Sequence, residues 1–169
     1  MLAGYEGGTS MKVFTLKRVL AGSLLLNLGL VAALSGGFAR ADTTPSGEEL
    51  SPYMALMQHH LHKLGLAVQA KNATLAGFYL EEVEETSVII QKKFPTYDKI
   101  AVGPLMNAML VPSIAPLEKS IKASNWALSN AGYTKLVDSC NSCHTAAQHA
   151  FIKITAPTQN PFNQSFSPQ

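Results

Sequence analysis

Residues 137–151 read VDSCNSCHTAAQHAF, and they hold both cysteines of a 169-residue chain. Cys140 and Cys143 stand three apart, and His144 follows the second directly. A disulfide at this offset closes so small a ring that it removes little freedom from the unfolded chain. A thioredoxin-like redox pair belongs in a βαβ context, which the flanking sequence does not offer. Zinc needs about four Cys or His ligands with a second clustered pair. His59, His60 and His62 add imidazoles, but there is no second cysteine pair. The reading that uses all three residues is Cys-x-x-Cys-His, the attachment pattern for c-type haem. Two thiols about one helical turn apart reach the same porphyrin edge as thioethers, and the next residue sets an imidazole under the iron. The expected cofactor is one covalent haem c, bound by Cys140 and Cys143, with His144 as proximal iron ligand.

The amino-terminal part gives this motif a compartment. From Met11, Lys12, Lys17 and Arg18 precede an uncharged apolar stretch from Val19 to about Ser35, and Ala39-Arg40-Ala41 supplies a small-x-small ending. That order describes a secretory signal peptide over residues 1–41, cleaved after Ala41. Residues 1–10 add nothing to such a signal, and Met11 offers an alternative start. The apolar stretch is short for a membrane span and is broken by Gly, Ser and Asn, so no stable span is expected after processing. Losing residues 1–41 removes Lys12, Lys17, Arg18, Arg40 and Glu6. Basic residues fall from 13 to 9 and acidic ones from 11 to 10, for a formal charge of −1 rather than +2. The basicity belongs to the leader, and nothing in the remainder suggests a nucleic-acid partner. The expected location is the periplasm.

The exported part reads as helical. Ser46-Gly47-Glu48-Glu49 has a capping-box pattern that predicts a helix from about residue 47. Leu50, Tyr53, Met54, Met57, Leu61, Leu64 and Val68 then recur at spacings of three and four, as a bundle seam does. Asn72 can cap a second helix from about 73 to 94, with Ala76, Leu80, Val83, Ser87, Ile90 and Phe94 on its seam. Glu81, Glu82, Glu84 and Glu85 read as its solvated face. Pro104, Pro112 and Pro116 divide a third region into pieces near 105–111 and 116–123. A last helix should start at Ser124 or Asn125, carry Trp126, Tyr133, Leu136, Cys140 and His144, and run to about Ile152. From Ala156 the tail APTQNPFNQSFSPQ is expected to be irregular and loose. The expected fold is all-α: an antiparallel four-helix bundle over 42–155 with haem c on its last helix, followed by a tail at 156–169.

A CNSCH motif on the last helix of a bundle, rather than near the start of a domain, resembles the class II c-type cytochromes, the cytochrome c′-like family. The similarity covers about residues 47–153. It implies an exported haem protein that shuttles electrons to redox partner proteins or binds small gases. It also implies, for many members, a homodimer through the first two helices. By motif matching, Cys140 and Cys143 become the thioether residues and His144 the proximal ligand. The proline-rich third region and the tail depart from the family pattern.

The distal side of the iron separates the roles. Met57 sits on the apolar seam of the first helix, where low-spin relatives place a methionine ligand, so it is the candidate distal iron ligand. Thioether ligation suits electron transfer. Met57 as plain core filler is the competing reading, because methionine adapts to irregular gaps. That reading leaves a five-coordinate haem that binds NO or CO. Met54 and His60 are further distal candidates, while His59, His62 and His149 read as surface residues. Haem peroxidase chemistry would want a cationic partner near the iron, and no arginine follows Arg40. An electron carrier is expected rather than an enzyme.

Overall fold

The computed structural model describes residues 47–169. The signal-peptide region, its Ala41 cleavage site and Ser46 of the capping box lie outside the described residues. Those that are described form five α-helices and a 3-10 turn: α1 (Ser51–Gln69), α2 (Ala73–Lys93), α3 (Val102–Met109), the turn Val111–Ser113, α4 (Ile114–Lys122) and α5 (Trp126–Ala146). The one β-type pairing among them is an isolated bridge between Tyr97 and Ile100. The expectation of an all-α chain holds over this region. Among the described residues no helix is long and apolar enough to cross a membrane.

Helix α1 begins later than the sequence suggests. Its N-cap is Leu50, which offers no side-chain acceptor, and Pro52 fills the first turn. A proline there costs no hydrogen bond, because first-turn N–H groups have no partner within the helix. The two glutamates of the expected capping box serve elsewhere. Glu48 takes Lys93 Nζ at 2.5 Å and the Tyr53 hydroxyl, and Glu49 accepts from the Tyr97 hydroxyl at 2.7 Å. They tie the start of α1 to the end of α2. These bonds hold the Glu48 carboxyl below its ordinary pKa, the bond from Lys93 foremost. The seam is as expected in its lower half. Met57, Leu61, Leu64 and Val68 are buried, while Leu50, Tyr53 and Met54 are half-buried.

Helix α2 follows the reading closely. Asn72 caps it, accepting from the Leu75 N–H at 3.0 Å. Lys71 takes a positive φ of 57° to reverse the chain between α1 and α2. All six seam residues are buried, and Glu81, Glu84 and Glu85 are exposed. Each large apolar side chain removed from water contributes roughly 1.5–3 kcal/mol. This burial is what holds α2 against α1.

The third region is broken, but its pieces start earlier than the prolines imply. Pro104 sits inside the first turn of α3 rather than before it, and Pro116 inside the first turn of α4 rather than at its start, where a missing N–H is harmless. Helix α2 packs on α1, α3 and α4, and α5 packs on α1, α3 and α4. The core between them is lined by Leu64, Leu80, Ile90, Leu117, Ile121 and Leu136.

Two expectations at the carboxyl end need correction. Helix α5 starts as expected, with Asn125 accepting from the Leu128 N–H at 3.2 Å. It stops at Ala146, not near Ile152, because Gln148 adopts a φ of 62° and turns the chain back on the helix. The tail is irregular but not loose. Gln69 Nε2 donates to the Pro157 carbonyl at 2.9 Å, and the Tyr79 hydroxyl donates to Gln164 Oε1 at 2.8 Å. Asn72 Nδ2 donates to the carbonyls of Phe166 and Ser167 at 3.2 and 3.1 Å. Phe166 is buried against Tyr79. The tail therefore docks along α1 and α2, because each helix offers amide or hydroxyl donors to backbone that has no ladder of its own.

Candidate functional site

Helix α1, the segment from Tyr97 to Leu105, α5 and the loop after α5 line a partly open cavity of about 390 Å³. Its walls are mostly apolar and include Met57, Leu61, Ile100, Val102 and Ile154. This size lies in the range of ordinary cofactor pockets. Cys140, Cys143, His144 and Met57 all line it, so the structure brings the four expected site residues together. Met54 lines it as well, half-buried one turn before Met57.

The two thiols lie on consecutive turns of α5 and are unpaired. Burial pushes the Cys140 thiol up to about 12, and the neighbouring Cys143 adds to the shift. Burial raises Cys143 in the same direction. Both stay protonated at neutral pH. A reactive redox pair needs the opposite shift. Apolar surroundings that keep a thiol neutral suit one held against a large apolar group.

His144 Nδ1 stands 2.8 Å from the carbonyl oxygen of Ile152. A carbonyl can only accept, so Nδ1 carries the proton and donates it. The lone pair then resides on Nε2, the tautomer that a metal-binding imidazole requires. The loop reaches this position through a chain of backbone bonds. The N–H groups of Ala147 and His149 donate to the carbonyls of Cys143 and His144 at 2.9 and 2.7 Å, and the Ile152 N–H donates to His149 at 2.9 Å.

The other histidines separate cleanly. His60, weighed as a distal candidate, turns to α2, with Nδ1 3.4 Å from Thr86 Oγ1 and 3.6 Å from Glu82 Oε2. It does not line the cavity. His59 and His62 do not simply face water. Their rings flank Phe162 of the tail, with centroids at 5.1 and 5.3 Å. Partial burial and the nearby Lys63 lower the His59 pKa. His149 is exposed, as expected of a surface residue, yet it also borders the site. Because α5 ends early, the loop carries it to the cavity rim. Phe151 is 80% exposed and Trp126 is no part of the lining.

Tyr97, Ile100, Val102, Ile152 and Ile154 complete the walls, and sequence reasoning missed them. They lie in loops or at a helix start, where no periodicity marks an inward face. Among the described residues no group of three or more His, Cys, Asp or Glu side chains is arranged to hold a metal ion. The zinc alternative gains no support, since His59, His60 and His62 lie outside the cavity. An apolar slot with two adjacent thiols and an oriented imidazole on one wall, and a thioether on a facing helix, is chemically suited to a porphyrin. No protein-family model, curated protein or solved structure matches this chain.

Proposed function

We propose that the chain is an exported c-type cytochrome built as a four-helix bundle, with one haem c and a role in periplasmic electron transfer. Cys140 and Cys143 would hold the porphyrin by thioethers, each thiol adding its S–H across a vinyl group. Nε2 of His144 would take the proximal iron position and the sulfur of Met57 the distal one. When bound, the haem supplies a one-electron iron couple. The chain's own residues do the rest. Leu61, Ile100, Val102 and Ile154 would give the haem an apolar lining that keeps water away, and the Ile152 carbonyl holds the proton on Nδ1 of His144.

The observation that carries this reading is the shared cavity of Met57 on α1 and His144 on α5. Met57 is buried (6% exposed) and is one of the residues lining that space. Electron transfer benefits because a strong sixth ligand keeps the iron's surroundings the same in both oxidation states. The test is the protein from a host that matures c-type cytochromes, read by intact mass and by the reduced optical spectrum with and without CO. A haem-bearing mass and a low-spin spectrum unchanged by CO support the proposal. Ready CO binding would assign the gas-binding role instead. A colourless product at the mass of the bare polypeptide overturns both.

A further inference from the structure

The residue between the two cysteines that follows Cys140 is Asn141, and its amide makes two bonds to a single distant peptide segment. Nδ2 donates to the carbonyl of Ile154 at 3.0 Å, and Oδ1 accepts from the Ile154 N–H at 2.8 Å. One residue thus satisfies both backbone groups of Ile154, as a paired strand would. We infer that Asn141 is a positioning residue for the His144 imidazole, acting through this clamp on the loop after α5. The inference rests on reading His144 as an iron ligand.

Asn141 stands three residues before His144 on α5, so the two side chains are neighbours on one face. The carbonyl that accepts from His144 Nδ1 belongs to Ile152, two residues before the clamped Ile154. On the other side, the Ile152 N–H is pinned to the His149 carbonyl at 2.9 Å. The Ile152 carbonyl therefore lies between two fixed points, and one of them is the Asn141 amide. A single hydrogen bond would leave the segment free to swivel about it. Two bonds of opposite polarity fix its orientation. Ile154 also packs against the core, so the clamped segment has a firm backing. Only a side-chain amide donates and accepts at once in this geometry. Aspartate would keep the acceptor for the Ile154 N–H and set a second oxygen against the Ile154 carbonyl.

The consequence is electronic as well as steric. An imidazole that donates from Nδ1 is a stronger base at Nε2, and such outer partners tune the metal. Freeing the Ile152 carbonyl weakens that donation and favours ferrous over ferric iron.

The test compares the full chain from the maturation host as wild type, Asn141→Asp, Asn141→Leu and Asn141→Gln, with Ser142→Ala as an exposed control. Nitrogen NMR of the His144 ring reads the Nδ1 proton and its exchange rate, and this reading does not need haem. Asn141→Asp and Asn141→Leu should exchange that proton about tenfold faster, the order expected when the net stability of one hydrogen bond is lost. In the loaded protein the ferrous-to-ferric ratio at fixed potential should rise about tenfold, which is ~59 mV for one electron. Asn141→Gln should recover part of both, and Ser142→Ala should match wild type. Asn141→Asp is nearly isosteric, so it remains informative if Asn141→Leu does not fold. Wild-type proton exchange in Asn141→Asp overturns the inference. A colourless product removes the cytochrome reading, and the ring-proton comparison still decides the clamp.

Discussion

The hydroxyl of Tyr133 on α5 occupies the space a side chain on Gly65 of α1 would need, 2.5 Å from where its Cβ would stand. The same hydroxyl donates to the Leu61 carbonyl at 3.2 Å, and Pro157 of the tail closes the other side at 2.7 Å. Glycine inside a helix costs about 1 kcal/mol relative to alanine. Here that cost lets α1, α5 and the tail meet. Gly65→Ala should destabilise the protein by up to about 2 kcal/mol in urea denaturation, since overpacking of ~1–3 kcal/mol offsets the helical gain of about 1 kcal/mol. A variant more stable than wild type would show that this contact is not tight.

Met57 separates ligation from packing. Met57→Leu keeps the volume of a buried side chain, so stability should change by less than about 1.5 kcal/mol. The loaded protein should nonetheless lose its low-spin spectrum and begin to bind CO. Met54→Leu should leave the spectrum alone. If Met57→Leu stays low-spin, the distal ligand is another residue.

Cys140 predicts a pH dependence in protein with free thiols. Its folded pKa is raised to about 12 by burial, whereas an unfolded cysteine titrates near 8.5. The fold therefore favours the protonated thiol. The stability this contributes is complete below about pH 8.5 and is lost as pH climbs toward 12. Urea midpoints should fall above about pH 9, and Cys140→Ala should make that fall shallower. Alkylation of Cys140 at pH 7 should run at least roughly 100-fold slower than that of free cysteine, because so little thiolate is present. Rapid alkylation in folded protein would contradict the burial.

The docked tail should carry stability. Phe166→Ala empties a buried position and should cost about 3–5 kcal/mol. Asn72→Ala loses the α2 cap, about 1 kcal/mol, and also both donors to the tail. Limited proteolysis should then cut the tail beyond Ala156 in Asn72→Ala well before it cuts wild type. Equal cleavage rates would mean that the tail is held by Phe166 and Gln69 without Asn72.

Much of the helical layout was legible because its causes are local. Asn72 and Asn125 cap helices through a side chain reaching three residues ahead, and the α2 seam repeats at helical spacing. Where local signals misled, a distant partner had claimed the residue. Glu48 and Glu49 carry the chemistry of a capping box, yet Lys93, Tyr53 and Tyr97 hold them. The tail has a loose composition, yet Gln69, Asn72 and Tyr79 supply the bonds it lacks.

By itself the amino-acid sequence determined the helical character, the spacing of Cys140, Cys143 and His144 on one helix, and Met57 on an apolar stripe, since each depends on a few neighbouring residues. Only the tertiary structure decided that Met57 rather than His60 faces the cavity with His144, that α5 ends before His149, and that Ile152 sets the imidazole's tautomer. Those outcomes depend on contacts between residues far apart in the chain, and a helical period says which residues share a face but not what that face will meet.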